Sequence, residues 1–259
     1  MQSCTAGRTR EEKWTISGGV WMISVGCCGF PRAHHIYFDQ LRLIEIQQTF
    51  YKPPQAKTAY RWRAKEAPPD FVFTLKAWQL ITHQPASPTY RKIKHTIPEN
   101  KRHRYGGFRP TDEVFAAWEQ TREIASALRA HVVVFQCPVS FTPTDFHKKH
   151  MRLFFQTIKR DGLQAAWEPR GEWKDPEVEH LCTSLDLIHC VDPFMRLPVT
   201  RGTAYFRLHG IGGYAYRYTN EELEQLKRWC QQFEHAYVLF NNTSMWEDGF
   251  RFRKIISST

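Results

Sequence analysis

The stretch HVVVFQCPVSFTPTDFHKKHMRLFFQTIKRDGLQAAWE, residues 131–168, decides how the fold is read. It opens on a run of valines closed by Phe135 and Gln136, and it ends on a second short apolar run closed by Trp167 and Glu168. Residues 145–160 between them carry apolar side chains at helical spacing. Two nearly continuous apolar runs joined through one helix read as neighbouring parallel strands, buried on both faces. Each run closes on a polar residue.

The same unit repeats outward in both directions. Short apolar runs lie at about 23–27, 42–46, 71–76, 131–136, 163–168, 186–191, 204–209 and 236–240. Helical patterns fall near 57–66, 112–129, 145–160, 220–233 and 246–255. Asp175-Pro176 places a capping residue before a first-turn proline. Thr219 and Glu222 form a capping box ahead of 220–233. Eight strands alternating with helices predict an α/β fold: a single-domain (β/α)8 barrel of the TIM type rather than an open sheet. Pro193, Pro198 and Gly202 leave too little chain for a helix, so the crossover at about 192–203 is expected to be a loop.

Composition supports a large core. The chain has 259 residues, 42% of them hydrophobic, with 9 Trp, 10 Tyr and 18 Phe. Folding at this length removes roughly 70–75% of the unfolded surface from water. No apolar run approaches the ~18 residues of a membrane span, and the first residues mix charges with small side chains instead of forming a secretory leader. A cytoplasmic protein with no membrane partner is expected. Residues 1–21 lack a periodic apolar pattern and read as a flexible extension ahead of a barrel domain at 22–256. The seven cysteines, at 4, 27, 28, 137, 182, 190 and 230, form no C-x-x-C pair. They read as buried thiols rather than a zinc site or a disulfide framework.

Charge is concentrated. The net charge is +10, and residues 52–110 alone hold 13 Lys and Arg against three acids. Between Arg91 and Arg109, seven bases face only Glu99. This segment follows the third strand, so residues 83–110, with four prolines and Gly106-Gly107, form a basic loop over the strand ends. Such a loop suits an anionic partner, either a small anionic molecule or nucleic acid; a solvated lysine-rich face is the plain alternative.

Chemistry in a barrel sits at the carboxyl ends of the strands. Here seven of the eight runs end in polar side chains: Glu45 and Gln47, Lys76, Gln136, Glu168 and Arg170, Asp192, Arg207 and His209, then Asn241 and Asn242. The pairs Glu45/Gln47, Glu168/Arg170 and Arg207/His209 are spaced i, i+2 and share a strand face. Glu45, Glu168, Asp192 and His209 are the candidate catalytic acid–base groups. Lys76, Arg170 and Arg207 would bind anionic oxygens, with His83, Gln136 and Asn241 as further substrate contacts. Mutual neutralisation of Glu168 by Arg170 and of Asp192 by Arg207 is the structural alternative. The same Glu, Asp and His set could hold a divalent ion, but no local spacing of ligands singles one out, so the cofactor stays unknown and no metal ligand is assigned. After the seventh strand, Gly210, Gly212 and Gly213 would let backbone N–H groups approach a phosphate. Tyr214, Tyr216 and Tyr218 would either stack on a ligand or pack the loop. The oligomeric state is not readable.

These residues, in this order, resemble the YecE-like family, the domain of unknown function DUF72. The matching stretches are ISVGCCGF (23–30), IEIQQTFY (44–51), FVFTLKA (71–77) with ITH (81–83), VFQCP (134–138), WEPRGEW (167–173), YFRLHG (205–210) and FNN (240–242). The resemblance spans about 22–256 and implies a TIM-type barrel, but no activity, because the family is named for lacking one. Its motif positions correspond to Glu45, Thr49, Tyr51, Lys76, Thr82, His83, Gln136, Glu168, Arg170, Arg207, His209, Gly210 and Asn241. This chain departs at Gln47, where many members have Asn, and at Cys28-Gly29-Phe30, where many have Ser-Gly-Trp. The leading expectation is an enzyme acting on a phosphate-bearing or other anionic substrate, by hydrolase- or lyase-type acid–base chemistry. The alternative is a nucleic-acid-binding protein without catalysis, using the 83–110 loop.

Overall fold

Eight parallel strands, β2 to β9, run in sequence order around a closed ring, with β2 pairing to both β3 and β9. The computed structural model describes residues 13–16, 19–93 and 97–258. The strands are β1 (Lys13–Ile16), β2 (Gly19–Cys28), β3 (Leu43–Ile46), β4 (Val72–Lys76), β5 (Val132–Gln136), β6 (Gln164–Glu168), β7 (Leu187–Val191), β8 (Thr203–Leu208) and β9 (His235–Phe240). The helices are α1 (His34–Gln40), α2 (Gln48–Tyr51), α3 (Ala56–Arg61), α4 (Gln79–Thr82), α5 (Asp112–Leu128), α6 (Asp145–Thr157), α7 (Asp175–Leu185), α8 (Asn220–Cys230) and α9 (Met245–Ser257). The fold is the expected TIM-type barrel, and β7 passes to β8 with no helix between them. Among the described residues no helix is long and apolar enough to cross a membrane.

Two local details differ from the expectations. The first barrel strand starts at Gly19, not residue 23, and its early part pairs antiparallel with β1, Lys13 opposite Met22. Asp175 is not a cap but the first residue of α7. Its carboxylate is drawn to Arg196, while Glu177 accepts from the Lys174 N–H and closes the helix start. At α8 the Thr219–Glu222 capping box forms as read, each residue accepting a hydrogen bond from the other's backbone N–H.

Apolar side chains divide into two cores, as the period of two along each strand demands. One lies between strands and helices, where α5 buries Val114, Trp118, Ile124 and Leu128 against the sheet. The other fills the barrel and contains Leu43, Val132, Val134, Ala166, Ile188, Cys190, Tyr205, Tyr237 and Leu239. This interior is a packed plug rather than a pore. Each inward series continues to a polar residue at the carboxyl end: Leu43–Glu45–Gln47, Thr74–Lys76, Val134–Gln136, Ala166–Glu168–Arg170, Cys190–Asp192, Tyr205–Arg207–His209 and Leu239–Asn241. The alternation that packs the core therefore also builds the polar mouth. At the opposite end, a groove of about 310 Å³ is lined by Glu179, Asp186, Thr200 and Arg201 beside the helix-free crossover.

Candidate active site

Arg207 is the centre of the mouth. It is 1% exposed, and its Nη2 donates to Glu45 Oε1 at 3.0 Å while its Nη1 donates to Glu168 Oε2. Both carboxylates are also buried. Arg170 reaches the other Glu168 oxygen through Nε at 2.9 Å and Nη2 at 2.5 Å. Arg170 Nη2 also lies 3.4 Å from His209 Nε2. The far ring nitrogen of His209, Nδ1, stands 3.5 Å from Asp192 Oδ2, which accepts the His209 backbone N–H at 2.9 Å. A continuous polar chain thus runs Glu45–Arg207–Glu168–Arg170–His209–Asp192. It begins in the core and ends in the partly exposed His209–Asp192 pair.

Burial by itself would raise the Glu168 carboxyl, but Arg207, Arg170, His209 and Lys76 outweigh it and hold the group at about 2. Glu168 is therefore ionised throughout the neutral range. Neutralisation in the mouth does occur, with partners only partly those read from the sequence. Glu168 takes Arg170, as read, but Arg207 takes Glu45 and Glu168 rather than Asp192, which faces His209 instead.

Lys76 lies beside this chain. Its Nζ donates to Gln136 Oε1 at 2.5 Å and sits 3.9 Å over the Phe50 ring. Burial, reinforced by the nearby Arg207, brings the ammonium down to about 8. His83 stacks edge-on to Phe50 at 4.9 Å and bonds Thr82 Oγ1 through Nδ1. Burial and Lys76 bring its imidazole down to about 3, so it is neutral at ordinary pH.

Asn241 is set at the mouth by its backbone, its N–H donating to Leu208 O. In the glycine loop two of the three glycine N–H groups are taken within the loop itself. The Gly210 N–H goes to Tyr218 Oη at 2.9 Å and the Gly213 N–H to Gly210 O. Gly210 has φ +89°, and a Cβ there would meet Gly213 O at 2.2 Å, so the glycine is required for the turn itself. Tyr216 donates to Glu222 on α8, and Tyr218 is buried. Only Tyr214 is exposed, with its ring 5.9 Å from that of His209.

Three side chains escaped the sequence reading. Tyr205 donates to Glu45 Oε2 at 2.9 Å and lies 2.7 Å from Thr74 Oγ1, closing the buried end of the network. Both sit inside apolar runs, and the i, i+2 relation of Tyr205 to Arg207 was the available signal. Phe50 gave no sign of seating Lys76. Gln47, by contrast, was noted, and its amide donates to Glu45.

The basic loop is a pinned flap. Gly106, Gly107 and Phe108 donate back to Leu80, Thr82 and Ile81, and Tyr90 donates to His83 O. Lys101 and Arg104 pair with Glu113 at the start of α5, and Arg109 donates to two loop carbonyls. Lys92 lies 4.7 Å over Tyr51, beside the mouth, while Lys94 falls outside the described residues. The six described cysteines are free and buried. Among the described residues no three His, Cys, Asp or Glu side chains are grouped to hold a metal ion.

A family model for proteins of unknown function, DUF72, matches residues 32–251. The chain belongs to the DUF72 family. A DUF72 protein from Enterococcus faecalis is 20% identical, with a TM-score of 0.70 over 92% of this chain and 98% of that one. One from Thermotoga maritima is 18% identical, with a TM-score of 0.64 over 91% and 99%. A D-psicose 3-epimerase structure determined in the presence of D-fructose superposes with a TM-score of 0.52 at 10% identity, over 86% of this DUF72 chain and 90% of its own. No curated protein matches the sequence.

Proposed function

We propose that this DUF72 barrel is an enzyme acting on an anionic substrate, such as a sugar carrying a phosphate or carboxylate, held at the carboxyl mouth. The observation that carries the reading is the Arg170–His209–Asp192 arrangement. Arg170 is anchored by a buried carboxylate, yet its side chain is 38% exposed, and His209 stands beside it with an aspartate behind the ring. An arginine fixed in this way presents its fork to an anion with little entropy left to lose. An imidazole backed by a carboxylate can take a proton at one nitrogen while the other stays oriented.

In this reading Glu45 and Glu168 act by holding Arg207 and Arg170, and His209 with Asp192 transfers protons. A carboxyl held at about 2 is a poor proton donor near neutrality. The sugar class takes support from the likeness to the D-psicose epimerase barrel and to a D-tagatose 3-epimerase-like protein with a TM-score of 0.54. The nucleic-acid alternative is weakened because Lys101 and Arg104 turn to Glu113 at the start of α5.

A panel of sugar phosphates and sugar acids, screened by thermal shift and calorimetry, tests the proposal. At least one should raise the melting temperature, and Arg170→Ala should weaken it roughly tenfold. His209→Asn should abolish turnover of that compound while sparing its binding. Absence of any ligand-dependent shift across the panel would remove the reading.

A further inference from the structure

We infer that Lys76 is the amine of a covalent site, placed to form an imine with the carbonyl carbon of an anionic substrate at the mouth. The inference rests on the preceding section for one point only, that the mouth binds anions.

Lys76 bonds none of the carboxylate oxygens around it. Two carboxylates share its end of the barrel, and all four of their oxygens are taken by other groups. Glu45 Oε1 accepts from Arg207 and Gln47, and its Oε2 accepts from Tyr205. Glu168 Oε1 accepts from Arg170, and its Oε2 accepts from Arg207. Among the described residues Lys76 therefore makes no ion pair, and its one hydrogen bond is to the neutral amide of Gln136. A buried lysine that serves the fold is ordinarily paired with a carboxylate. This one is set against a phenyl ring and within the field of a buried arginine.

Removal from water and the neighbouring Arg207 outweigh the opposite pull of Glu45 and Glu168 and favour the free amine, the form that attacks a carbonyl. The site is also fixed. Lys76 ends β4 on the inward face, and Thr49 Oγ1 donates to its carbonyl at 2.7 Å. Arg170 lies across the same mouth for the anionic end of a substrate.

The chemistry balances with water as the only co-product. The Nζ lone pair forms a C–N bond to the carbonyl carbon as the C=O π pair moves to oxygen. The nitrogen loses a proton and the oxygen gains one, giving a carbinolamine. That oxygen takes a second proton and leaves as water while nitrogen forms the C=N bond and releases its remaining proton, so the two protons lost from the amine balance the two gained by the oxygen. No oxidant or reductant is consumed.

Pyridoxal 5′-phosphate, an aldehyde that carries a phosphate, is the probe. The intact protein is incubated with it at low stoichiometry, reduced with borohydride so that hydride converts the imine to a stable secondary amine, and mapped by peptide mass spectrometry. Of the 14 lysines, Lys76 should be labelled first. With its ammonium at about 8, it holds roughly three-hundredfold more free amine at neutral pH than an ordinary lysine. Labelling at Lys76 should rise from pH 6 to pH 9 and level off, whereas surface lysines should still be climbing. Lys76→Arg should keep the melting temperature within a few degrees, lose that label and still bind the probe reversibly. Saturable probe binding with label only on surface lysines would overturn the covalent role and leave the anion-binding reading standing. Failure of both binding and labelling would overturn both.

Discussion

Arg207 on β8 and Glu45 on β3 meet at 3.0 Å inside the barrel, although 162 positions separate them in the chain. Neither charge would be tolerated there alone. An isolated buried ion costs several kcal/mol, and only close pairing with further hydrogen bonds offsets that. Tyr205 and Gln47 complete the Glu45 side, and Glu168 completes the Arg207 side. Folding and site assembly are thus one event, because the strands that close the ring also bring the counter-charges together.

Acid should therefore attack this protein at Glu168. Its carboxyl is held at about 2 in the folded chain, below the ordinary glutamate value. Stability from this group is full above that ordinary value and is lost as pH falls toward about 2. The contribution is roughly 3 kcal/mol, an order-of-magnitude figure for a fully buried group. Glu168→Gln should lower stability by about 3–5 kcal/mol at neutral pH, because it leaves Arg207 half-paired. Urea melts between pH 2.5 and 7 check both statements; a variant as stable as the wild type would refute them.

Gly210→Ala should disturb the mouth without unfolding the barrel. The new methyl group would meet Gly213 O and Tyr216 Cβ, at a φ that L residues avoid. A cost of about 1–3 kcal/mol is expected, confined to the loop. Hydrogen exchange should quicken at the Gly210 amide, now bonded to Tyr218, and stay slow in β8. Uniformly quickened exchange across the barrel would contradict this.

The flap separates a lid from a nucleic-acid surface. Arg91→Ser with Lys92→Ser removes exposed charge, while Lys101 and Arg104 remain paired to Glu113. If the flap covers a small anion, the double variant should weaken that ligand severalfold and leave oligonucleotide binding unchanged at every salt concentration. If it tracks phosphates of a nucleic acid, the salt slope of binding should fall by about one unit per charge removed. Fluorescence anisotropy at two salt concentrations distinguishes them.

The barrel was legible because its signals are local. Eight apolar runs, the helix starts and the missing crossover helix each lie within about a dozen residues, and strand and helix periods read directly from the chain. The polar strand ends were legible for the same reason, since i, i+2 spacing fixes the face. Which of them pair between strands was not. Arg207 takes Glu45 and Glu168 rather than Asp192 because ring closure and the relative shift of adjacent strands set which side chains stand at equal height. The role of Lys76 was hidden likewise. Sequence placed a lysine at the end of a strand, but only the folded mouth, by engaging the nearby carboxylate oxygens elsewhere, left that lysine without a direct ion pair.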